Sequence, residues 1–171
     1  MKHSKRMILL AVFMILLAVF FLGCEEKQKK DKDDLVEFSA LGMTISLPEG
    51  TEETVLTGQT VTYSTEDAIV TMLRVPFSKS TDMQDLSAEE FTEMTILSSN
   101  LPTGVKLTTE DGIPGFDFAQ ENPQMNDTYH HFVKIYKGGN AFLMVQFIVP
   151  VAQVEEYADQ FAVWAKSVRF D

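Results

Sequence analysis

An uninterrupted apolar run near the start of the chain constrains this sequence more than any other feature. Residues Met7 to Leu22 include no charged or polar side chain, and Lys2, Lys5 and Arg6 precede them. A short basic segment followed by an apolar segment is the pattern of an export signal. The run is also close to the length that crosses a bilayer, so an uncleaved membrane span is the alternative. Both interpretations send the rest of the chain out of the cytoplasm, because basic residues that precede an apolar run stay on the cytoplasmic side.

The end of the apolar run carries the only cysteine of the chain, Cys24, directly after Gly23. This junction resembles the lipobox of bacterial lipoproteins, in which a small residue precedes an invariant cysteine. The resemblance implies that residues 1–23 are removed as a lipoprotein signal peptide and that the Cys24 thiol is lipidated. Acyl chains such as palmitate would then hold the mature protein on the extracytoplasmic face of a bacterial cell membrane, since two or three chains suffice for stable attachment.

The exported part of the chain is strongly acidic. Removal of residues 1–23 changes the formal net charge from −11 to −14, because three basic residues and no acid are lost. A surface of that sign repels phosphate backbones, which argues against a nucleic acid partner. With Cys24 acylated, no cysteine remains for a disulfide or a thiolate metal site. We therefore expect an ordinary apolar core, with neither a metal nor another cofactor.

Composition divides the exported part into a tether and one domain. Residues 25–34 have no apolar side chain and mix lysines with acids, which is typical of a solvated segment. The lipidated Cys24 and this tether make up residues 24–34. The ten residues of the tether span at most about 35 Å. Residues 35–171 are enough for a single domain with a sizeable core.

Apolar periodicity predicts a mostly β domain. Alternation, together with flanking turn residues, favours strands at residues 41–47, 55–64, 68–77, 105–109, 115–120, 128–137 and 141–149. In the last of these runs, residues 141–149, both the odd-numbered and the even-numbered residues are apolar, with the exception of Gln146. This pattern is typical of a strand that is buried on both faces. We therefore predict that residues 141–149 lie in the centre of the sheet, with helices above and below.

Two amphipathic helices complete the prediction. Ser87 and Glu90 form a capping box at the start of a helix within residues 85–100. Its predicted buried side comprises Phe91, Met94, Thr95, Leu97 and Ser98. A second helix is predicted to open at Pro150. Its predicted buried side comprises Val154, Tyr157, Ala158, Phe161, Ala165 and Val168.

The order of these elements resembles the PsbP and Mog-like superfamily. The carrying residues are Met43–Pro48, the late hairpin Tyr129–Val149, and the C-terminal residues Glu155, Tyr157, Phe161, Ser167 and Phe170. The resemblance implies an α+β fold, an antiparallel β-sheet flanked by helices on both faces as an α/β/α sandwich. Members of that superfamily are accessory or binding proteins. The resemblance therefore implies that this chain is a non-catalytic module with a protein partner, and not an enzyme.

Two other functions stay open on the sequence. Asp127, Tyr129 and His131 share one side of a predicted strand, and an Asp–His pair can orient an imidazole for base catalysis or metal ligation in an envelope hydrolase or metal-dependent enzyme. A small-ligand carrier is the third possibility, and it requires an apolar cavity between the sheet and a helix. For the binding module, we expect contacts through the sheet edge or through loops such as Asn122–Asp127.

Overall fold

The computed structural model describes residues 34–77 and 82–170, and within these ranges the chain forms ten strands and two α-helices. The apolar run, Cys24 and the tether up to residue 33 lie outside the described residues. The strands are β1 (Leu35–Ala40), β2 (Met43–Pro48), β3 (Glu52–Thr57), β4 (Thr60–Ser64), β5 (Ile69–Pro76), β6 (Thr108–Glu110), β7 (Ile113–Asn122), β8 (Asp127–Lys137), β9 (Ala141–Pro150) and β10 (Arg169–Phe170). The helices are α1 (Ala88–Ser98) and α2 (Val154–Ser167).

The described strands form two antiparallel sheets. A seven-stranded sheet has the order β3-β4-β5-β9-β8-β7-β6, and a three-stranded sheet has the order β1-β2-β10. The predicted central position of residues 141–149 is confirmed, because β9 is the fourth of seven strands and all nine of these residues are buried. The separate small sheet was not foreseen. It includes the last two described residues, which pair with Thr44 and Met43.

Tight turns explain two corrections to the predicted strands. The chain reverses at Leu41 and Gly42, whose φ values are 60° and 78°, so the strand predicted at residues 41–47 begins only at Met43. It pairs with a strand at residues 35–40 that was not predicted. Positive φ at both central residues is the geometry that matches the twist of a two-residue hairpin. The predicted strand at residues 55–64 is likewise wrong, because Gly58 and Gln59 form the turn between β3 and β4.

The start of the second helix also differs from the prediction. Pro150 is the last residue of β9, where it pairs with Tyr129, and a 3-10 turn, Val151–Gln153, separates it from α2. Proline is tolerated at a strand end because few ladder hydrogen bonds remain to be made there. The apolar pattern therefore located the helix correctly, but it did not locate the first residue.

Alternate side chains of β9 belong to two different apolar clusters. The first contains Leu143, Val145, Phe147 and Val149, together with side chains of β2, β4 and β5 and with Tyr157, Phe161, Trp164 and Ala165 of α2. The second contains Phe142 and Met144, together with side chains of β5, β7 and β8 and with Phe91 of α1. Phe91 stacks on Phe142 with a centroid separation of 4.1 Å. Each helix is thus positioned by its own set of β9 side chains.

The N-terminus of α1 forms as predicted, but two residues that were predicted to be buried are exposed. The backbone N–H of Ser87 donates to Glu90 Oε2 at 2.7 Å, and the Glu90 N–H donates to Ser87 Oγ at 3.1 Å, which confirms the capping box. Leu97, by contrast, is 87% exposed. Successive helical residues are turned by about 100°, so Leu97 points roughly opposite to the buried Thr95. Ser98 is exposed as well.

Helix α2 is attached to three different parts of the domain by hydrogen bonds. Tyr157 Oη donates to Asp67 Oδ2 at 3.0 Å, in the turn between β4 and β5. The Ser46 N–H of β2 donates to Ser167 Oγ at 2.9 Å, and Tyr136 Oη of β8 donates to the Ala165 carbonyl at 2.7 Å.

The buried side of α2 was predicted correctly at most positions. Tyr157, Phe161 and Ala165 are buried, whereas Ala158 is exposed, contrary to the prediction. Trp164, which the sequence analysis did not select, is completely buried.

Replacement of Gly115 by alanine is expected to destabilise the domain. A Cβ at this position of β7 would lie 2.0 Å from the carbonyl oxygen of Val133 on β8, and a backbone atom cannot move aside cheaply. Forced overpacking of this kind costs about 1–3 kcal/mol. Gly139→Ala is the matched control, because a Cβ added there would have no neighbouring atom within 4 Å. Urea unfolding of both variants, followed by circular dichroism, checks this; equal stabilities would contradict the close approach of β7 to β8.

Candidate functional site

His131 lies inside the protein, on the side of β8 that faces the second apolar cluster. Its exposed fraction is 1%, and its ring stacks on Phe118 of β7 with a centroid separation of 4.7 Å and an interplanar angle of 1°. The same side of β8 carries the buried residues Val133 and Ile135. The odd-numbered residues of this strand therefore point into the core from His131 to Ile135.

Gln146 of β9 is the polar partner of His131. The Gln146 Nε2 amide donates to His131 Nδ1 at 2.8 Å, because an amide nitrogen is only a donor. Nδ1 thus accepts, and a neutral imidazole carries its proton on Nε2. Burial, and secondarily the positive charge available to His130, lowers the pKa of His131 from 6.5 to about 4. His131 is therefore neutral at physiological pH.

The predicted constellation of Asp127, Tyr129 and His131 is not brought together. Asp127 is exposed at the first position of β8, and its Oδ1 accepts the N–H of Thr128 at 2.7 Å. Four strand residues span roughly 13 Å, so the Asp127 carboxylate does not orient the imidazole. Tyr129 is half-buried between them. The three residues do alternate along one strand, as predicted, but Asp127 and His131 do not form an Asp–His pair.

The histidine that does meet a carboxylate is His130. Its Nε2 lies 3.0 Å from Asp117 Oδ2 on the neighbouring strand β7, and its ring lies 4.4 Å from that of Phe132. The pair is partly solvent-exposed, and β8 and β7 set its geometry by placing Ala119 directly opposite His130. Sequence reasoning missed Asp117, because the two residues become neighbours only through strand pairing. Gln146 could have been found from the sequence, because it is the one polar residue within residues 141–149.

The loop between β7 and β8 is a tight turn built around a buried side chain. Asn122 is buried, and its Oδ1 accepts the N–H groups of Gln124 at 3.0 Å and Met125 at 3.3 Å. Asn126 has a φ of 50°, which asparagine tolerates better than most residues. Met125 is the exposed apolar side chain of this turn.

The acids of α1 contribute to the helix terminus. Glu90 completes the capping box, and Glu89 and Glu93 are exposed. Within residues 34–77 and 82–170, no three His, Cys, Asp or Glu side chains are grouped closely enough to hold a metal ion. Nor does either described helix have the length and apolar character needed to cross a bilayer.

The charges of the domain are distributed unevenly along the chain. Residues 34–73 contain seven acids and no lysine, arginine or histidine. The acids are Asp34, Glu37, Glu49, Glu52, Glu53, Glu66 and Asp67. Bases occur from Arg74 onward, and several are engaged, as in the pairs Lys134–Glu110 at 2.6 Å and Lys166–Asp111 at 2.8 Å. The part of the domain that contains β3 and β4 is therefore electronegative.

Stability is expected to fall as the pH falls from about 6.5 towards 4. The unfolded chain protonates His131 below about pH 6.5, but the folded protein does so only near pH 4, so protons favour unfolding in this window. The shift corresponds to a loss of about 2 kcal/mol between pH 7 and pH 5. Urea unfolding at these two pH values measures it.

A His131→Gln variant should lose much of this pH dependence, whereas His130→Gln should retain it. NMR titration of the His131 ring in the unmutated protein provides a second readout that does not depend on the variant folding. A His131 ring that titrates near pH 6.5 would contradict its burial beside Phe118.

Comparison with known proteins identifies the fold. No family model matches the sequence, and no curated protein matches it. Among solved structures, cyanobacterial PsbP (CyanoP) from Synechocystis sp. PCC 6803 superposes with a TM-score of 0.50 at 12% identity, covering 88% of this chain and 99% of CyanoP. The Ran-binding protein Mog1p of Saccharomyces cerevisiae gives 0.50 at 11% identity, covering 80% and 95%.

A protein from Bacteroides thetaiotaomicron VPI-5482 gives a TM-score of 0.54 at 13% identity over 79% of this chain. The match spans 48%, about half, of the length of that protein. Identities this low establish the fold alone. The described residues form a PsbP/Mog1-like domain built mainly of antiparallel β-sheet with two α-helices.

Proposed function

We propose that this protein is a bacterial lipoprotein, tethered by Cys24 to the extracytoplasmic face of the cell membrane, whose domain is a non-catalytic binding or accessory module for another protein. The observation that carries the proposal is the lipobox-like Gly23–Cys24 junction directly before a charged tether. It joins an export signal to a single domain, and it keeps that domain within reach of membrane-associated partners.

The start of the domain supports a short connection to the anchor. Ten residues, 25–34, separate Cys24 from the first residue of β1. The Glu49 N–H donates to the Asp34 carbonyl at 2.9 Å, which attaches the entering chain to the segment between β2 and β3. The end of the domain near Asp34 is therefore the one that we expect to lie closest to the membrane.

The layering of the domain supports contacts through its edges. We infer that α1 and α2 lie on opposite faces of the seven-stranded sheet, since their side chains pack with alternate residues of β9 and successive side chains of a strand point to opposite sides. Much of both faces would then be covered. Strand edges and turns are the parts of such a domain that still offer backbone groups to a partner.

A similar fold is found in a protein whose name describes binding. Mog1p is described as a Ran-binding protein, and it shares the fold at 11% identity. This supports a partner of protein character for the present chain, without indicating which one. The position of His131 also fits a binding module, because a buried neutral imidazole that is hydrogen-bonded to Gln146 serves the packing of the core.

Acylation tests the anchor directly. A Cys24→Ser variant, expressed in bacterial cells, is expected to lose incorporation of a labelled fatty acid, because the serine hydroxyl does not replace the acyl-accepting thiol. Mass spectrometry of the N-terminal fragment measures this. Gly23→Ala is the matched control, since it keeps a small residue before the cysteine and should remain acylated.

Membrane fractionation alone would not decide the point, because an uncleaved apolar run also holds the chain in the membrane. Acylation of Cys24→Ser at the level of the unmutated protein would overturn the anchor.

The binding role is tested by crosslinking the full-length protein in its own cells, followed by mass spectrometry. A protein recovered in stoichiometric amounts, and recovered again when that protein is used as the bait, supports the accessory role. A retained metabolite or metal without a protein partner would contradict it and would favour the carrier or enzyme.

A further inference from the structure

Strand β3 is a long edge of the seven-stranded sheet. It pairs with β4 on one side, and among the described residues no strand pairs with its other side. All six residues from Glu52 to Thr57 are exposed. Alternate N–H and C=O groups of an edge strand point away from the sheet, so β3 offers a template for another strand.

Strand β3 carries two acids and a register shift, but it lacks other features that protect an edge strand. Natural edges are often short, or they carry lysine or proline, and the six residues of β3 include neither. A register shift between Val55 and Thr57 is the one irregularity in its pairing. The opposite edge, β6, has only three residues, and its Glu110 is paired with Lys134. In the small sheet, Glu37 of the edge strand β1 is paired with Arg169 at 2.7 Å.

The surroundings of β3 are acidic at its first residues, and Arg74 donates its backbone N–H to the Gln59 carbonyl at the other end of the strand. Glu52 and Glu53 have no ion-pair partner among the described residues, and no base occurs within residues 34–73. Glu52 pairs with Ser64, so the turn that contains Glu66 and Asp67 lies beside the start of β3. Burial, followed by the charge of Glu53, raises the pKa of Tyr63. Burial, followed by Asp67, Glu156 and Glu66, raises that of Tyr157.

Exposed apolar side chains accompany these acids. Val55 is 65% exposed and Leu56 is 41% exposed. A strand that adds to β3 would thus meet carboxylates at one end and apolar side chains at the other.

We propose that β3 is the docking edge for an extended protein segment in which lysines or arginines at one end are followed by apolar residues, and which adds to the sheet as an eighth strand. The inference rests on the proposed binding role and names its surface and partner class. Main-chain hydrogen bonds would supply affinity, and the side chains would supply specificity. A second copy of this chain fits less well, because its β3 carries no base that could pair with Glu52 and Glu53.

Binding of a synthetic peptide tests this docking edge. The probe is an eight-residue peptide of four Lys followed by four Val, capped at both ends, added to the full-length protein in a non-ionic detergent. We expect slower amide hydrogen exchange in residues 52–57 and an affinity that falls as salt rises. The same peptide N-methylated at every residue keeps its charge but cannot form a strand pair, so it should not bind. A peptide of four Glu followed by four Val should not bind either.

Matched variants separate the edge from general acidity. Glu52→Gln combined with Glu53→Gln should weaken Lys–Val peptide binding by about tenfold, as expected for the loss of two surface ion pairs. Glu89→Gln combined with Glu93→Gln removes two exposed acids of α1 and should leave the affinity unchanged. Equal binding of the N-methylated peptide, protection that appears elsewhere than β3, or no binding at low salt would overturn the proposal.

Other occupants of the edge give different results. Protection of residues 52–57 without peptide that increases with protein concentration would assign the edge to a second copy and would overturn the proposal. Acylation at Cys24 and recovery of a crosslinked partner do not depend on the peptide. A partner crosslinked at another surface would therefore remove the docking edge while leaving the binding role intact.

Discussion

Burial of β9 on both sides is the constraint on which the rest of this fold depends. Nine consecutive residues, from Ala141 to Val149, are shielded from solvent, and their side chains alternate between two apolar clusters. Backbone groups at such depth must be paired on both edges, and β5 and β8 pair with β9 along most of its length. One cluster also contains Phe91 of α1, and the other also contains side chains of α2 and β2.

The polar exception in this strand sets the register of the sheet centre. Gln146 lies opposite Val133, and His131 lies opposite Ile148, so their hydrogen bond is diagonal across the β8–β9 pair. If β8 slipped by one residue against β9, this hydrogen bond between His131 and Gln146 would be lost. Each buried polar group left unsatisfied destabilises the fold by about 1–3 kcal/mol. A buried pair of this kind specifies one alignment among several apolar ones. We attribute to His131 this structural role, which also links folding to pH.

Charge and strand edges together distinguish the two ends of the large sheet. At the β6 end, Lys134 and Lys166 pair with Glu110 and Asp111. Such surface pairs contribute only about 0–1 kcal/mol each to stability, so their larger effect is on the surface potential. At the β3 end, Glu52 and Glu53 have no ion-pair partner among the described residues, and they belong to an exposed strand. The two ends thus differ in the partners that they can attract.

The sequence by itself determined the features that depend on neighbouring residues. It determined the capping box at Ser87 and Glu90, the buried strand at 141–149 and most of the buried side of α2, because side-chain periodicity and helix capping act over a few positions. Tertiary structure decided what depends on distant residues: the His130–Asp117 and His131–Gln146 pairs, the burial of Trp164 and the pairing of Arg169 and Phe170 with β2. It also decided the turn at Leu41 and Gly42, since leucine carries no local signal for a positive φ. Periodicity assigns a side to each residue, but only strand pairing brings together residues that lie far apart in the chain.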